Sequence, residues 1–239
     1  MRDRWERPLP RRFYKRVTVE ETADGFAVSL DGKLAKTPLK HPLLLPTRPL
    51  AEAVAAEWAA QEEKIDPFAM PIMGYCNAAI DRVRPDPRAV ITLIAETANH
   101  ELLCYRAEGP EELARKQNAA WNPLLDWAAE RLKVAFNVTS GIMPVAQAPA
   151  LRPALMLAYG RFSDFALAAL AGMAQLTGSA VLPLAVAEGR IAPEDAFAAA
   201  HLEERWNIDR WGEDAEAAAR LDQRRTEFLA AARLLALVG

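Results

Sequence analysis

The chain has 239 residues, a formal net charge of −3 and a hydrophobic fraction of 51%. That length buries a sizeable core, as one large domain or two small ones, and the near-neutral charge gives no electrostatic reason to expect a nucleic acid partner. Cys76 and Cys104 are too few for a disulfide framework and lack the paired spacing of a zinc site, so a reducing compartment is expected.

The N-terminus carries Arg2, Arg4, Arg7, Arg11, Arg12, Lys15 and Arg16, with Asp3 and Glu6 between them and no apolar run after them. No secretory signal is read there, and a cytoplasmic bacterial location is expected. Residues 13 to 37 alternate with period two: Phe13, Lys15, Val17 and Val19 share one face, and Phe26, Val28 and Leu30 follow the same rule. Asp24-Gly25 and Asp31-Gly32 are turns, which predicts a three-stranded antiparallel meander closing near Lys36, with Leu43 to Leu45 as an added edge strand. The period then changes. Leu50, Val54, Trp58 and Gln61 predict a helix over 49–64 lying across the sheet, stopped by Pro67 and Pro71.

Beyond Arg84-Pro85-Asp86-Pro87 the pattern is helical except near 137–149, so a boundary is placed there, dividing a 1–84 α+β domain from an 85–239 helical domain. Asp86 caps a helix whose stripe is Ile91, Ile94, Ala98, Leu102 and Tyr105 and whose end is Gly109-Pro110. A second helix carries Leu113, Gln117 and Trp121, is bent or restarted at Asn122-Pro123, and turns Leu124, Trp127, Ala128 and Leu132 inward. Further helices are expected over 151–160, 164–187, 193–211 and 214–237. The uncharged run from Phe165 to Ala187 is read as a buried helix and not a membrane span, because Gln175, Thr177, Ser179, Gly172, Gly178 and Pro183 interrupt it. The fold class is mostly helical α+β: a small antiparallel meander with a helix, then an all-α orthogonal bundle.

The chemistry of a catalyst is harder to find. No Gly-x-Ser-x-Gly elbow, phosphate loop, dinucleotide fingerprint or His-Glu-x-x-His helix occurs. Thr177-Gly178-Ser179 is read as a place of close helix packing. His41, His100 and His201 are scattered; a metal-dependent hydrolase around His201 and Glu204 is the enzymatic alternative, and it lacks a recognisable third ligand. In the segment 201–212, Phe197, Ala200, Glu204, Ile208 and Trp211 recur at helical spacing, which places Glu204 in an apolar stripe and Glu203 with Asn207 and Arg210 on a polar side. A carboxylate on an apolar face requires an internal basic partner, an open groove or another protein. Trp58, Trp121 and Trp127 are expected in the core, and Trp206, lying off the stripe, is expected to be exposed.

Several stretches occur in a specific order: Arg12-Phe13-Tyr14-Lys15, Leu30-Asp31-Gly32-Lys33, Lys36-Thr37-Pro38, Glu57-Trp58 with Gln61, and Ile65-Asp66-Pro67. They continue with Met70-Pro71, Asn77-Ala78-Ala79-Ile80-Asp81, 102–107, Gln117 with Trp121-Asn122-Pro123, 176–179, Leu202-Glu203-Glu204 and Trp211-Gly212. Taken together, the chain resembles the Atp12 family of F1-ATPase assembly chaperones from Arg12 onward. Its His100 departs from that pattern, where an acidic or Thr-Asp type stretch is more usual. The resemblance implies a protein that is not an enzyme, needs no nucleotide or other cofactor, and acts as a monomer without inserting into a membrane. Its implied partner is the unassembled α subunit, whose β-facing surface it covers until the hexamer forms; a general holdase without a fixed client is the remaining alternative. The family has a sensitive acidic position before Trp-Gly, which here is Glu203 or Glu204, and the expected partner-binding residues are Glu203, Glu204, Trp206 and Arg210.

Overall fold

A hairpin of β1 (Val17–Thr22) and β2 (Gly25–Leu30) opens the fold of the computed structural model, which describes residues 9–212 and 214–239. Arg2, Arg4 and Arg7 lie outside the described residues. Gly25 sits at φ 131°, and a Cβ there would meet the Leu45 carbonyl at 2.6 Å, so the turn requires glycine. β3 (Lys33–Leu34) and β4 (Leu44–Leu45) share the other side of β2, pairing with its end and its beginning. Asp31, left-handed at φ 50°, accepts the Lys15 and Arg16 amides, which hold its carboxyl below the usual carboxylate range.

Helix α1 (Arg48–Ala59) is capped by Thr47, whose hydroxyl accepts from the Leu50 amide, and buries Leu50, Ala51, Ala53 and Val54 against β1 and β2. It stops short of Lys64. Gln61 lies past the end, where its amide nitrogen donates to the Glu57 carbonyl at 3.1 Å and its oxygen accepts from the Asp66 amide at 2.7 Å. A 3-10 turn at Pro67–Ala69 leads into α2 (Pro71–Ala78) and then a π-helical turn at Ala79–Val83. The first amides of α2 have no local cap; Glu57 of α1 supplies it, accepting from Ile72 at 2.9 Å and Met73 at 2.8 Å.

Helix α3 (Pro87–Thr97) begins at Asp86, which accepts from Ala89, and buries Ile91, Ile94 and Ala95. The expected continuation to Gly109 is absent: two 3-10 turns, Ala98–His100 and Leu102–Cys104, lead into β5 (Tyr105–Arg106). The reason is Glu101. Fully buried, its carboxylate accepts the amides of Leu103 at 3.3 Å, Ala180 at 2.8 Å and Val181 at 3.3 Å, so the chain leaves the helix to cap another one. Helix α4 (Glu111–Leu132) stays continuous through Pro123, so of the expected bend or restart the restart does not occur, and Trp121, Leu124, Leu125, Ala128 and Leu132 are buried along it. Trp121 donates from its indole to the Ala199 carbonyl at 2.9 Å. Within the expected loop 137–149, β6 (Thr139–Ser140) pairs in parallel with β5.

The remaining helices are α5 (Leu151–Tyr159), α6 (Asp164–Thr177), α7 (Val181–Ala187), α8 (Pro193–Ala200), α9 (Leu202–Trp211) and α10 (Ala215–Val238). The single helix expected over 164–187 is two, because Gly178 turns left-handed at φ 66° and the Ser179 hydroxyl accepts from Val181 and Leu182. Thr177 and Ser179 therefore end one helix and cap the next. Helix α10 packs on α6, α2, α8 and α1. It is tied by the Thr47 hydroxyl donating to the Leu237 carbonyl and the Tyr75 hydroxyl donating to the Glu227 carbonyl. The fold is thus mostly helical α+β, with one connected set of buried side chains running from Tyr14 to Leu234. Among the described residues no helix is long and apolar enough to cross a membrane.

Burial pushes the Glu101 carboxyl up to about 7, against the hydrogen bonds from Ser179, Ala180, Leu103 and Val181. The folded chain therefore keeps a proton that the unfolded chain releases near the ordinary value of 4.5. The Glu101 contribution to stability should be full below that value and fall as pH rises towards 7, by on the order of 3 kcal/mol, then level off. Urea denaturation across this range should show that slope in the wild type and lose it in Glu101→Gln.

Candidate functional site

The break at His201, with φ −107° and ψ 24°, separates α8 from α9. Phe197 and Ala200 belong to one helix, Ile208 and Trp211 to the next, and the apolar stripe expected across 197–211 is not continuous. His201 is buried, packs against Phe197 with ring centroids 4.2 Å apart and planes tilted by 48°, and has Nδ1 3.3 Å from a Glu204 carboxylate oxygen. Burial lowers the imidazole pKa and the Arg224 guanidinium lowers it further, while Glu204 opposes them. Nδ1 of the neutral ring faces Glu204, and among the described residues Nε2 has no hydrogen-bond partner. Glu204 is 38% exposed, so it sits at the rim of the apolar region and not inside it.

The tryptophans exchange their expected places: Trp206 is 4% exposed and Trp211 is 76% exposed. After the break, α9 turns its Trp206 side towards α4, where Lys116 Nζ lies 4.5 Å and the Arg210 guanidinium 4.4 Å from the ring centroid. Arg210 also donates to Glu112 of α4 at 2.9 Å, an ion pair whose members are half-exposed and which contributes little on its own. Glu203 is exposed in the first turn of α9, and among the described residues no cation lies within 4 Å of it. A cavity of 210 Å³ opens beside Trp206, lined also by Lys116, Leu202, Arg205 and Asp209.

The structure thus brings Trp206 and Arg210 together with Glu112 and Lys116, joins Glu204 to His201, and leaves Glu203 free-standing at the surface. Glu112 and Lys116 were not picked out from the sequence; their i,i+4 spacing marks a helix face but gives no sign of α9 lying on it. What the arrangement offers chemically is recognition: an acidic exposed edge, a cation-covered indole and an exposed Trp211. Among the described residues no group of three or more His, Cys, Asp or Glu side chains is placed to hold a metal ion. Both cysteines are buried, and burial pushes the Cys104 thiol up to about 12, so neither is a ready nucleophile.

Removing the Trp206 ring should cost about 3 kcal/mol, since it fills the α4–α9 contact. Trp211→Ala should leave stability within about 0.5 kcal/mol of wild type. Paired chemical denaturation curves of the two variants check this, and equal midpoints would contradict the assignment.

Comparison with known proteins agrees along nearly the full length. Residues 11–129 match the family described as ATP12 chaperone protein. The crystal structure of Atp12 from Paracoccus denitrificans is 39% identical with a TM-score of 0.87, covering 96% of this chain and 99% of that one. A point mutant of the same organism's Atp12p is likewise 39% identical, at TM-score 0.87, covering 96% and 98%. An Agrobacterium tumefaciens protein described as a candidate chaperone is 42% identical at TM-score 0.91, covering 97% of this chain and 87% of that one. This chain, with its buried carboxylates capping distant helices and its charged α9 laid on α4, belongs to the ATP12 chaperone family.

Proposed function

We propose that the chain is an assembly chaperone of the F1 sector of ATP synthase which binds the unassembled α subunit without using ATP. It shields the α surface destined for β and departs as the hexamer forms. The observation that carries this reading is membership of a chaperone family at 39% and 42% identity over nearly the whole chain. The surface of α9 is compatible with the role. Exposed Glu203 and half-exposed Glu204 offer carboxylates to basic groups of the client, and the exposed Trp211 supplies an apolar contact. Arg210 and Trp206 act in this reading by holding α9 on α4, and thereby keep the acidic edge oriented. A client held by a few charged and aromatic contacts is displaced readily by a partner that buries more surface, as β does on docking.

Co-expression of the tagged chain with cognate α and β, singly and together, should retain α alone and release it when β is added. Unrelated aggregation-prone proteins should not be retained; if they were, a general holdase would be the better description. Glu203→Lys should reduce α retention at least tenfold with no change in melting temperature, because among the described residues no cation lies within 4 Å of the side chain. Unaltered retention by this variant would remove Glu203 from the binding surface.

A further inference from the structure

Helix α2 forms the floor of a long groove. Three cavities, of 560, 290 and 400 Å³, open along it, and Gly74 borders all three. The walls include Met70, Met73 and Ile65, while Phe68 and Leu39 stand on the lips, 69% and 62% exposed. Apolar side chains of that size are rarely left so open in a row around a concave surface without an occupant.

Gly74 carries the argument further. It lies in the middle of α2, where glycine is among the poorest helix formers. A Cβ built on it would meet nothing within 4 Å, so no packing inside the chain requires its absence. Gly172 provides the contrast: its Cβ would strike the Tyr75 ring at 2.4 Å, and the approach of α2 to α6 explains that glycine. At Gly74 the helix backbone is bare only towards the groove, which lets another backbone approach closely.

The unspent charge at one end of the groove is positive. Lys36 and Arg82 border one end, and among the described residues neither has an acidic partner within 4 Å. The nearby Asp81 is turned inward, accepting from the Thr37 hydroxyl at 2.7 Å, the Leu39 amide at 3.1 Å and His41 Nδ1 at 2.9 Å. At the other end Arg224 donates to the Leu176 carbonyl at 2.7 Å, and Glu227 accepts from the Gln223 amide. Between the ends, Trp58 Nε1 and Asn77 Oδ1, a donor and an acceptor on residues lining the 290 Å³ cavity, are buried and have no hydrogen-bond partner among the described residues.

We propose that this groove seats an extended segment of the client in which an apolar side chain is flanked by Asp or Glu, its backbone crossing α2 at Gly74. The apolar side chain fills the space between Met70 and Met73, and the flanking carboxylates meet Lys36 or Arg82. The inference rests on the reading that the client is the α subunit, and it adds where and by what chemistry that subunit is held.

The test is α retention, by the pull-down above and by titration against α at 50 and 300 mM salt, for wild type, Gly74→Leu and the double variant Lys36→Glu/Arg82→Glu. Gly74→Leu should melt no lower than wild type yet lose at least tenfold in α binding. The double variant should lose a similar factor and most of the salt dependence, and it decides the matter if leucine disturbs α2. Wild-type binding by both variants would overturn the groove as the seat while leaving the chaperone reading intact. Failure of the wild type itself to bind α would overturn both. Loss of a self-associated form in Gly74→Leu, with α binding unchanged, would assign the groove to a second copy of the chain and overturn the client proposal.

Discussion

The Glu57 carboxylate, taken up by the first amides of α2, is the constraint on which the rest of the arrangement depends. Helix α2 starts after Met70, which offers no side-chain cap, so its orphan amides must be met from outside. Burial raises the Glu57 pKa; the amides of Met73 and Ile72 and the charge of Arg233 oppose that rise and keep an anion tolerable there. The neighbouring residues complete the joint. Trp58 accepts the Tyr14 hydroxyl at its carbonyl, and Gln61 bridges the Glu57 carbonyl and the Asp66 amide. The N-terminal segment, α1 and the start of α2 are thereby locked together, which fixes the floor that α6 and α10 pack beside.

The same device recurs at Glu101, whose carboxylate satisfies the beginning of α7 from a turn 79 residues earlier in the chain. This is why the helical region departs from its sequence pattern. The hairpin at Asp24-Gly25, the Asp86 cap and the inward face of α1 were legible, because each depends on residues within a turn or two of one another. The end of α3 at Thr97 and the division of the 164–187 run were not, because they are decided by contact between segments far apart in sequence. Glu101 reads locally as a polar neighbour of His100 and only the fold shows it buried.

The candidate site follows the same rule. Glu203, Glu204 and Arg210 were read in one helix, Glu204 on an apolar stripe and the other two on a polar side, and the structure keeps all three in α9 with Glu204 at the rim. Trp206 and Trp211 were assigned to opposite environments because a continuous helix was assumed through His201; the break there rotates the apolar face and puts the indole of Trp206 beneath Lys116 and Arg210. The groove left almost no trace in the sequence beyond a glycine at a helical position, since its walls come from the 36–39 turn, α1, α2, α6 and α10.

In the proposed role, a rigid floor at α2 and a lightly attached α9 divide the work between gripping an apolar segment and reading charge at the client's edge. Hydrogen exchange of the chain with and without cognate α subunit tests this most directly. Slowed exchange confined to 67–82 and 202–211 on adding α is the predicted result. Formation of the complex with unchanged exchange in both segments would contradict the account.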